Sequence, residues 1–424
     1  MKALLHIALR SALNRRGTLT LVMLSIALAT ALLLGLERLR TDIRSSFALA
    51  VSGTDLVVGA RTSPVQLMLY AVFHVGGATN NIRMDSVRAV AAHRAVAWVV
   101  PLSLGDSHRG RPVLGTTPDY FERFAYGDRQ PLVLVQGRAF VATLDGLYEA
   151  VLGAKVAQTL GYTLGQKITL SHGSADLLAP EHADKPFTVV GVLARTGTPV
   201  DRTVHVSLQA IEAIHLDWAG GAPMPGMKIA PENARKFDLE PKQVTAALVG
   251  LKNRVAVFNV QRFVAGYEGE ALLAVLPGVA LDELWSVVGP GEQALLVIST
   301  LVAVVSLASL VAVVLAGLNE RRRELAVLRA VGAGPRHVLW LLAAEGAMVT
   351  LAGALLGALA AALAVLLAGP WLQQRFGITL LPAAPTAAQW GLFAAVVLAG
   401  MLASLVPGWR AYRLSLADGL SPRT

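Results

Sequence analysis

Imidazoles and carboxylates are crowded into one short stretch of this sequence. Residues 172–185 read HGSADLLAPEHADK and carry His172, Asp176, Glu181, His182 and Asp184. Nitrogen and oxygen donors in that mixture suit zinc or a similar ion. The spacing follows no defined metal pattern, and a solvated polar loop is the better reading, so no metal ligand is assigned. Seven of the nine histidines lie in the central part of the chain: His74, His93, His108, His172, His182, His205 and His215. No serine sits in a nucleophile-elbow context, and no carboxylate pair has a defining motif, so no catalytic residue is assigned. The phosphate loop G-x-x-x-x-G-K-[ST] is absent, and neither ATP nor Mg2+ is expected on this chain. Without cysteine there are no disulfides and no thiolate metal sites.

A second concentration of chemistry is basic. Residues 319–346 read NERRRELAVLRAVGAGPRHVLWLLAAEG, between two long apolar runs. Glu320, Arg321, Arg322, Arg323 and Glu324 open it. Leu325, Leu328 and Val331 then recur at spacing three, on one side of a short helix. Arg322 and Arg329, seven residues apart, share roughly one face. Gly332, Gly334 and Pro335 break the helix. Such a segment is either a basic anchor that fixes orientation or a coupling helix that docks into a cytoplasmic partner. Glu345 follows, inside the next apolar run. A charge there costs about 2.5–3.5 kcal/mol at a bilayer centre, so it should face protein or water. A hydrogen bond locking spans together is one use; a conformational or proton-linked role is another. Gly353 and Gly357 form a G-x-x-x-G that permits close helix approach, within one subunit or at a dimer seam.

The surrounding chain is built for a bilayer. Of its 424 residues, 54% are hydrophobic and only 15% charged, against about 25% charged in globular chains. Twelve of the 37 basic residues and three of the 28 acidic ones lie in the two termini and the 319–336 loop. The rest carries 25 of each sign, so the whole net charge of +9 flanks apolar runs. A nucleic-acid binder would place that excess on a soluble face. Four runs are long enough to span a membrane. The expected order is a basic cytoplasmic N-terminus (1–16), a first span (17–36) and an extracytoplasmic region with stalk segments (37–291). A second span (292–318), the cytoplasmic loop (319–336) and a third span (337–368) follow. A short outer loop (369–388), a fourth span (389–408) and a cytoplasmic tail (409–424) complete it. Gly289-Pro290-Gly291, Gly369-Pro370 and Pro407-Gly408 read as breaks at span ends. The first span reads as an uncleaved anchor, being longer than a signal-peptide core.

Within 37–291, helical patterns at 84–97, 118–124, 153–160 and 208–215 alternate with strand patterns. The strands read at 56–60, 98–104, 111–115, 166–171, 187–193, 203–206 and 243–251. This predicts an α+β or α/β domain, two-lobed. The apolar dozen at 64–75, PVQLMLYAVFHV, is too short to cross a membrane. It is either a buried core helix or an exposed element facing substrate or lipid.

The stretch ERRRELAVLRAVGAGPRHVLWLLAAEG resembles the segment after the second span of MacB-type, FtsX-like ABC transporter permeases. IALRSALNRRGTLTLVMLSIALATALLL resembles that family's first span, and VPGWRAYRLSLADGL its last. RPVLGTTPDYF, GAKVAQTLGYTLGQKITL and FTVVGVLARTGTPVDRTVHVSL resemble the MacB-type periplasmic core. The resemblance implies four transmembrane helices plus an α+β extracytoplasmic domain between the first and second spans. It implies no enzymatic activity on this chain and a separate ABC ATPase subunit carrying ATP and Mg2+. Glu320, Arg321, Arg322, Arg323, Glu324, Leu325, Leu328, Arg329 and Gly332 would couple to it. A homodimer or paralogous heterodimer in a bacterial inner membrane is expected, in contact with lipid, with a periplasmic adaptor or substrate protein as candidate partners. The alternative is an FtsX-like scaffold controlling an extracytoplasmic cell-wall hydrolase.

Overall fold

The computed structural model describes residues 16–413 apart from 78–79, 174–181, 220, 221, 225, 321–326, 328, 329, 331 and 377–383. Its contacts divide the chain into two compact units, one of residues 1–43 with 288–424 and one of residues 44–287.

The first unit holds the apolar helices α8 (Pro335–Phe376) and α9 (Ala387–Arg413) and most of α1 (Arg16–Leu49) and α7 (Pro277–Glu320), which continue into the second unit. All four are long and apolar enough to cross a membrane. Leu19, Val22, Ile26 and Leu33 of α1 share a core with Leu310 and Val314 of α7, Leu342 and Val349 of α8, and Val396 of α9. Three expected breaks are absent. α7 runs through Pro290, α8 through Pro370 and α9 through Pro407. A proline inside a helix forfeits one hydrogen bond and costs about 3 kcal/mol. Ending the helix in an apolar surrounding would strand several backbone groups, each at a cost of several kcal/mol, so continuing is the cheaper outcome.

The second unit is a mixed sheet with helices on its faces. Its strands are β1 (Leu56–Ala60), β2 (Val96–His108), β3 (Arg111–Thr116), β4 (Leu134–Gly137), β5 (Glu149–Leu152), β6 (Lys167–Ile168), β7 (Ser171–His172), β8 (Phe187–Leu193), β9 (Val204–Ser207), β10 (Ala246–Leu251) and β11 (Leu272–Val275). They lie in the order β11-β1-β10-β2-β3-β9-β5-β8-β4, with β7 added to β2 and β6 to β8. Five helices are relevant here: α2 (Pro64–Ala71), α3 (Met84–Ala91), α4 (Ala154–Leu160), α5 (Leu208–His215) and α6 (Val257–Ala265).

The central strands are buried on both faces, and their alternation sorts the core. Val57, Leu248 and Val151 join one cluster with Leu67 and Met68 of α2. On the opposite face, Leu56, Val58 and Val249 pack under α3 and α6. Ala150, Leu152 and Val204 pack under α4 and α5. The two-lobed expectation thus takes a specific form. Two separate clusters occupy one face, one occupies the other, and the long strand β2 serves both halves. Its first part pairs with β10 and its second with β3 and β7.

Several sequence boundaries move. The helix expected over 84–97 stops at Ala91, because β2 begins at Val96 and extends to His108. The strand expected over 166–171 is two short pairings, β6 and β7. The 64–75 segment is the buried reading: Leu67, Met68, Tyr70 and Ala71 face the core. Gly59 on β1 admits this packing, since a Cβ there would lie 2.5 Å from Leu67 Cδ1.

Candidate functional site

Small residues set the helix contacts of the apolar unit. A Cβ on Gly353 would lie 2.9 Å from the Met23 carbonyl oxygen, and one on Gly357 2.4 Å from that of Ala27. The G-x-x-x-G of α8 is therefore spent on α1 of the same chain. Toward α9, Gly346 meets Ser404, Gly400 meets Thr350 and Gly408 meets Leu339. Ser25 and Ser306 hydroxyls join α1 to α7 at 2.9 Å. Glu345, at 2% exposure, is buried in α8 and partnered.

Glu320 ends α7. Arg321, Arg322, Arg323, Glu324, Leu325, Leu328, Arg329 and Val331 lie outside the described residues. Val327 and Ala330 are helical and exposed. Gly332 follows at φ +102°, a left-handed backbone that favours glycine and suits the end of a helix.

The second unit gathers a different set of side chains from distant parts of the chain. Asp106, His172, His182 and His215 place one donor atom each within 4.8 Å of one another. Asp106 and His172 are cross-strand partners of β2 and β7. The β2–β3 register shifts between Leu104 and Ser107, and Gly105 sits at φ +152°. A bulge of this kind re-aims the side chain beside it, here the Asp106 carboxylate. His215 ends α5, whose start is capped by Ser207 accepting from the Ala210 N–H. His182 donates its backbone N–H to the Leu170 carbonyl and accepts from that of Lys185. Lys185 in turn reaches Asp217 Oδ1 and Oδ2 at 2.7 and 2.9 Å, a buried pair that holds the 182–185 turn. Trp218, the next residue, lies with its ring 4.1 Å from that of His182.

His172 Nδ1 is 3.2 Å from Asp106 Oδ1 and 3.0 Å from His215 Nε2, which is 3.5 Å from the same Asp106 oxygen. Burial works to raise the Asp106 pKa, but hydrogen bonds from His172 and His215 and their charge outweigh it and hold it at about 2. Burial would lower that of His215; Asp106 and the Ile211 carbonyl outweigh it and raise it. His182 is lowered to about 4 by burial and then by the charge of His215.

Among the described residues of the sequence-selected loop, His172 and His182 enter this cluster. Asp184 turns to Lys185, while Asp176 and Glu181 lie outside the described residues. Asp106 and the convergence of His215 on it were missed; Gly105, just past the strand read at 98–104, was the available signal for a bulge. His74, His108 and His205 are packing groups. His108 bridges the Thr169 carbonyl and the Tyr162 hydroxyl. His205 is lowered to about 3 by burial and then by the charge of His74. His74 itself is lowered to about 4 by burial and then by Arg202.

Residues 18–236 match the family model of the MacB-like periplasmic core domain, and residues 296–416 that of the FtsX-like permease C-terminal region. The first match alone covers half of the chain. The chain belongs to the MacB/FtsX-like family of ABC transporter permeases. The permease is 25% identical over 262 residues to the lipoprotein-releasing system transmembrane protein LolC of Neisseria meningitidis serogroup B. That alignment covers 59% of the permease and 56% of LolC, so the chain spans about half the length of the curated relative it matches. Two solved structures are similar at low scores. The periplasmic region of MacB from Actinobacillus actinomycetemcomitans aligns at a TM-score of 0.34 and 12% identity, covering 55% of the permease and 94% of that chain. The extracellular domain of the noncanonic ABC-type transporter YknZ from Gram-positive bacteria aligns at 0.29 and 14%, covering 46% and 89%.

Proposed function

We propose that this permease is the membrane subunit of a bacterial inner-membrane ABC transporter whose ATPase is a separate subunit. The support is the basic 319–336 segment between two membrane-length helices, in a chain whose C-terminal part matches the FtsX-like permease model. Both termini and this segment face the cytoplasm, where positive charge is retained. The α/β domain is inserted between the first and second spans on the outer side. Two such subunits, identical or paralogous, pair with two ATPases. Closure of the ATPases shifts the spans and moves the outer domains, which handle a substrate outside the membrane. A relative named for lipoprotein release makes a lipid-modified protein one candidate cargo.

The 319–331 segment carries the coupling. Leu325 and Leu328 supply apolar contact with the ATPase; Arg322 and Arg329 supply two-pronged pairing to carboxylates. Charge pairs at the centre of an interface couple by about 1.5–7 kcal/mol. Leu328→Asp is expected to abolish co-purification of the ATPase while membrane insertion stays normal. A variant with unchanged complex yield and ATP turnover would leave the segment as a topological anchor only.

A further inference from the structure

We propose that Asp106, His172, His182 and His215 form a binding site for a zinc-class divalent cation in the α/β domain. The four donors come from the β2 bulge, β7, the 182–185 turn and the end of α5; His172 and His182 share one stretch of chain, and Asp106 and His215 come to it from far along the sequence. Three of the donor atoms already form a triangle with sides of 3.0, 3.2 and 3.5 Å. Tetrahedral Zn2+ with nitrogen and oxygen ligands at about 2.0–2.2 Å separates its ligands by about 3.3–3.6 Å. The fourth donor, on His182, lies within 4.8 Å of the others.

His182 supplies the independent observation. It has no exposed surface, yet neither of its ring nitrogens has a hydrogen-bond partner among the described residues. Burying an imidazole with both nitrogens unsatisfied is costly, and a cation beside it removes that cost. His215 is prepared in a complementary way. Its Nδ1 lies 2.8 Å from the Ile211 carbonyl oxygen, which only accepts, so the proton sits on Nδ1. A cation that displaces the Nε2 proton directed at Asp106 then meets the Nε2 lone pair, as in metal-bound histidines whose other ring nitrogen is held by a backbone carbonyl. Trp218 shields one side of the cluster, its ring centroid 4.1–5.9 Å from those of His182, His172 and His215. Three imidazoles and one carboxylate select Zn2+ and its first-row neighbours over Mg2+ and Ca2+, which take oxygen ligands. Four protein ligands leave no open position, the arrangement of a structural site, so the ion would tie three segments of the domain together.

The test uses the full-length protein in detergent, stripped with a chelator and titrated with ZnCl2 alone. The expected result is about one Zn2+ per chain, a rise in unfolding temperature with zinc and none with Mg2+, and an intense visible spectrum with Co2+ typical of four-coordination. His182→Gln should weaken zinc binding by more than about 100-fold while leaving the unfolding temperature of the zinc-free protein in place. His182→Cys, which restores a ligand, should retain both the ion and the thermal shift. Zinc binding of equal strength in wild type and His182→Gln would overturn the site. So would wild-type protein that takes up no zinc, or a His182→Cys variant that folds without binding it.

Discussion

Lys185 shows how the α/β domain treats a charge that it buries. Its ammonium has no exposed surface and is held by both oxygens of Asp217, with Asp184 Oδ2 a further 3.1 Å contact. Such a pair gives little net stability over an apolar pair of equal size, but removing one member strands the other. Lys185→Met should therefore destabilise the protein by about 3–5 kcal/mol, measured as a lower denaturation midpoint. Lys185→Met combined with Asp217→Leu should recover most of that loss, although the Ile229 N–H also loses its acceptor. At this scale the sequence showed the donor types but not their grouping. His172 and His182 were visible as neighbours along the chain. Asp106 and His215 reach them only because a bulge at Gly105 and the length of α5 bring distant residues together. His74, His108 and His205, equally plausible as letters, are packing groups.

At the scale of elements, the four apolar helices were legible because length and hydropathy suffice to define a span. Their ends were not, because Pro and Gly carry a different meaning in an apolar surrounding. Gly-Pro pairs that would stop a soluble helix continue here as helix, and Gly408 lies against the backbone of Leu339. Gly353 and Gly357 likewise mark close approach of α8 to α1. Gly357→Leu should force these helices apart, because even a Cβ would lie 2.4 Å from the Ala27 carbonyl oxygen. Overpacking of this type costs about 1–3 kcal/mol, more where backbone must move. Size-exclusion profiles after heating should show earlier aggregation for Gly357→Leu. Gly391→Leu, where a Cβ meets nothing within 4 Å, should behave as wild type. In the sheet, the strand patterns located most strands but assigned no side chain to either core. What they could not reveal was that β2 runs on past Leu104 to serve a second set of partners.

For the whole molecule, the FtsX-like stretch at 320–346 and the MacB-like stretches of the central part carried the family reading, and the family models cover residues 296–416 and 18–236. The coupling role proposed for the 319–336 segment requires a cytoplasmic ATPase bound to it. The direct measurement is site-specific photocrosslinking in native membranes, with the photoreactive residue at position 329 or, as a control, at exposed Val255 of the α/β domain. Position 329 is expected to capture a protein bearing a phosphate-binding loop, Leu328→Asp to remove this product, and Val255 never to yield it. Capture of the ATPase from Val255, or no nucleotide-binding partner at position 329, would contradict the coupling role.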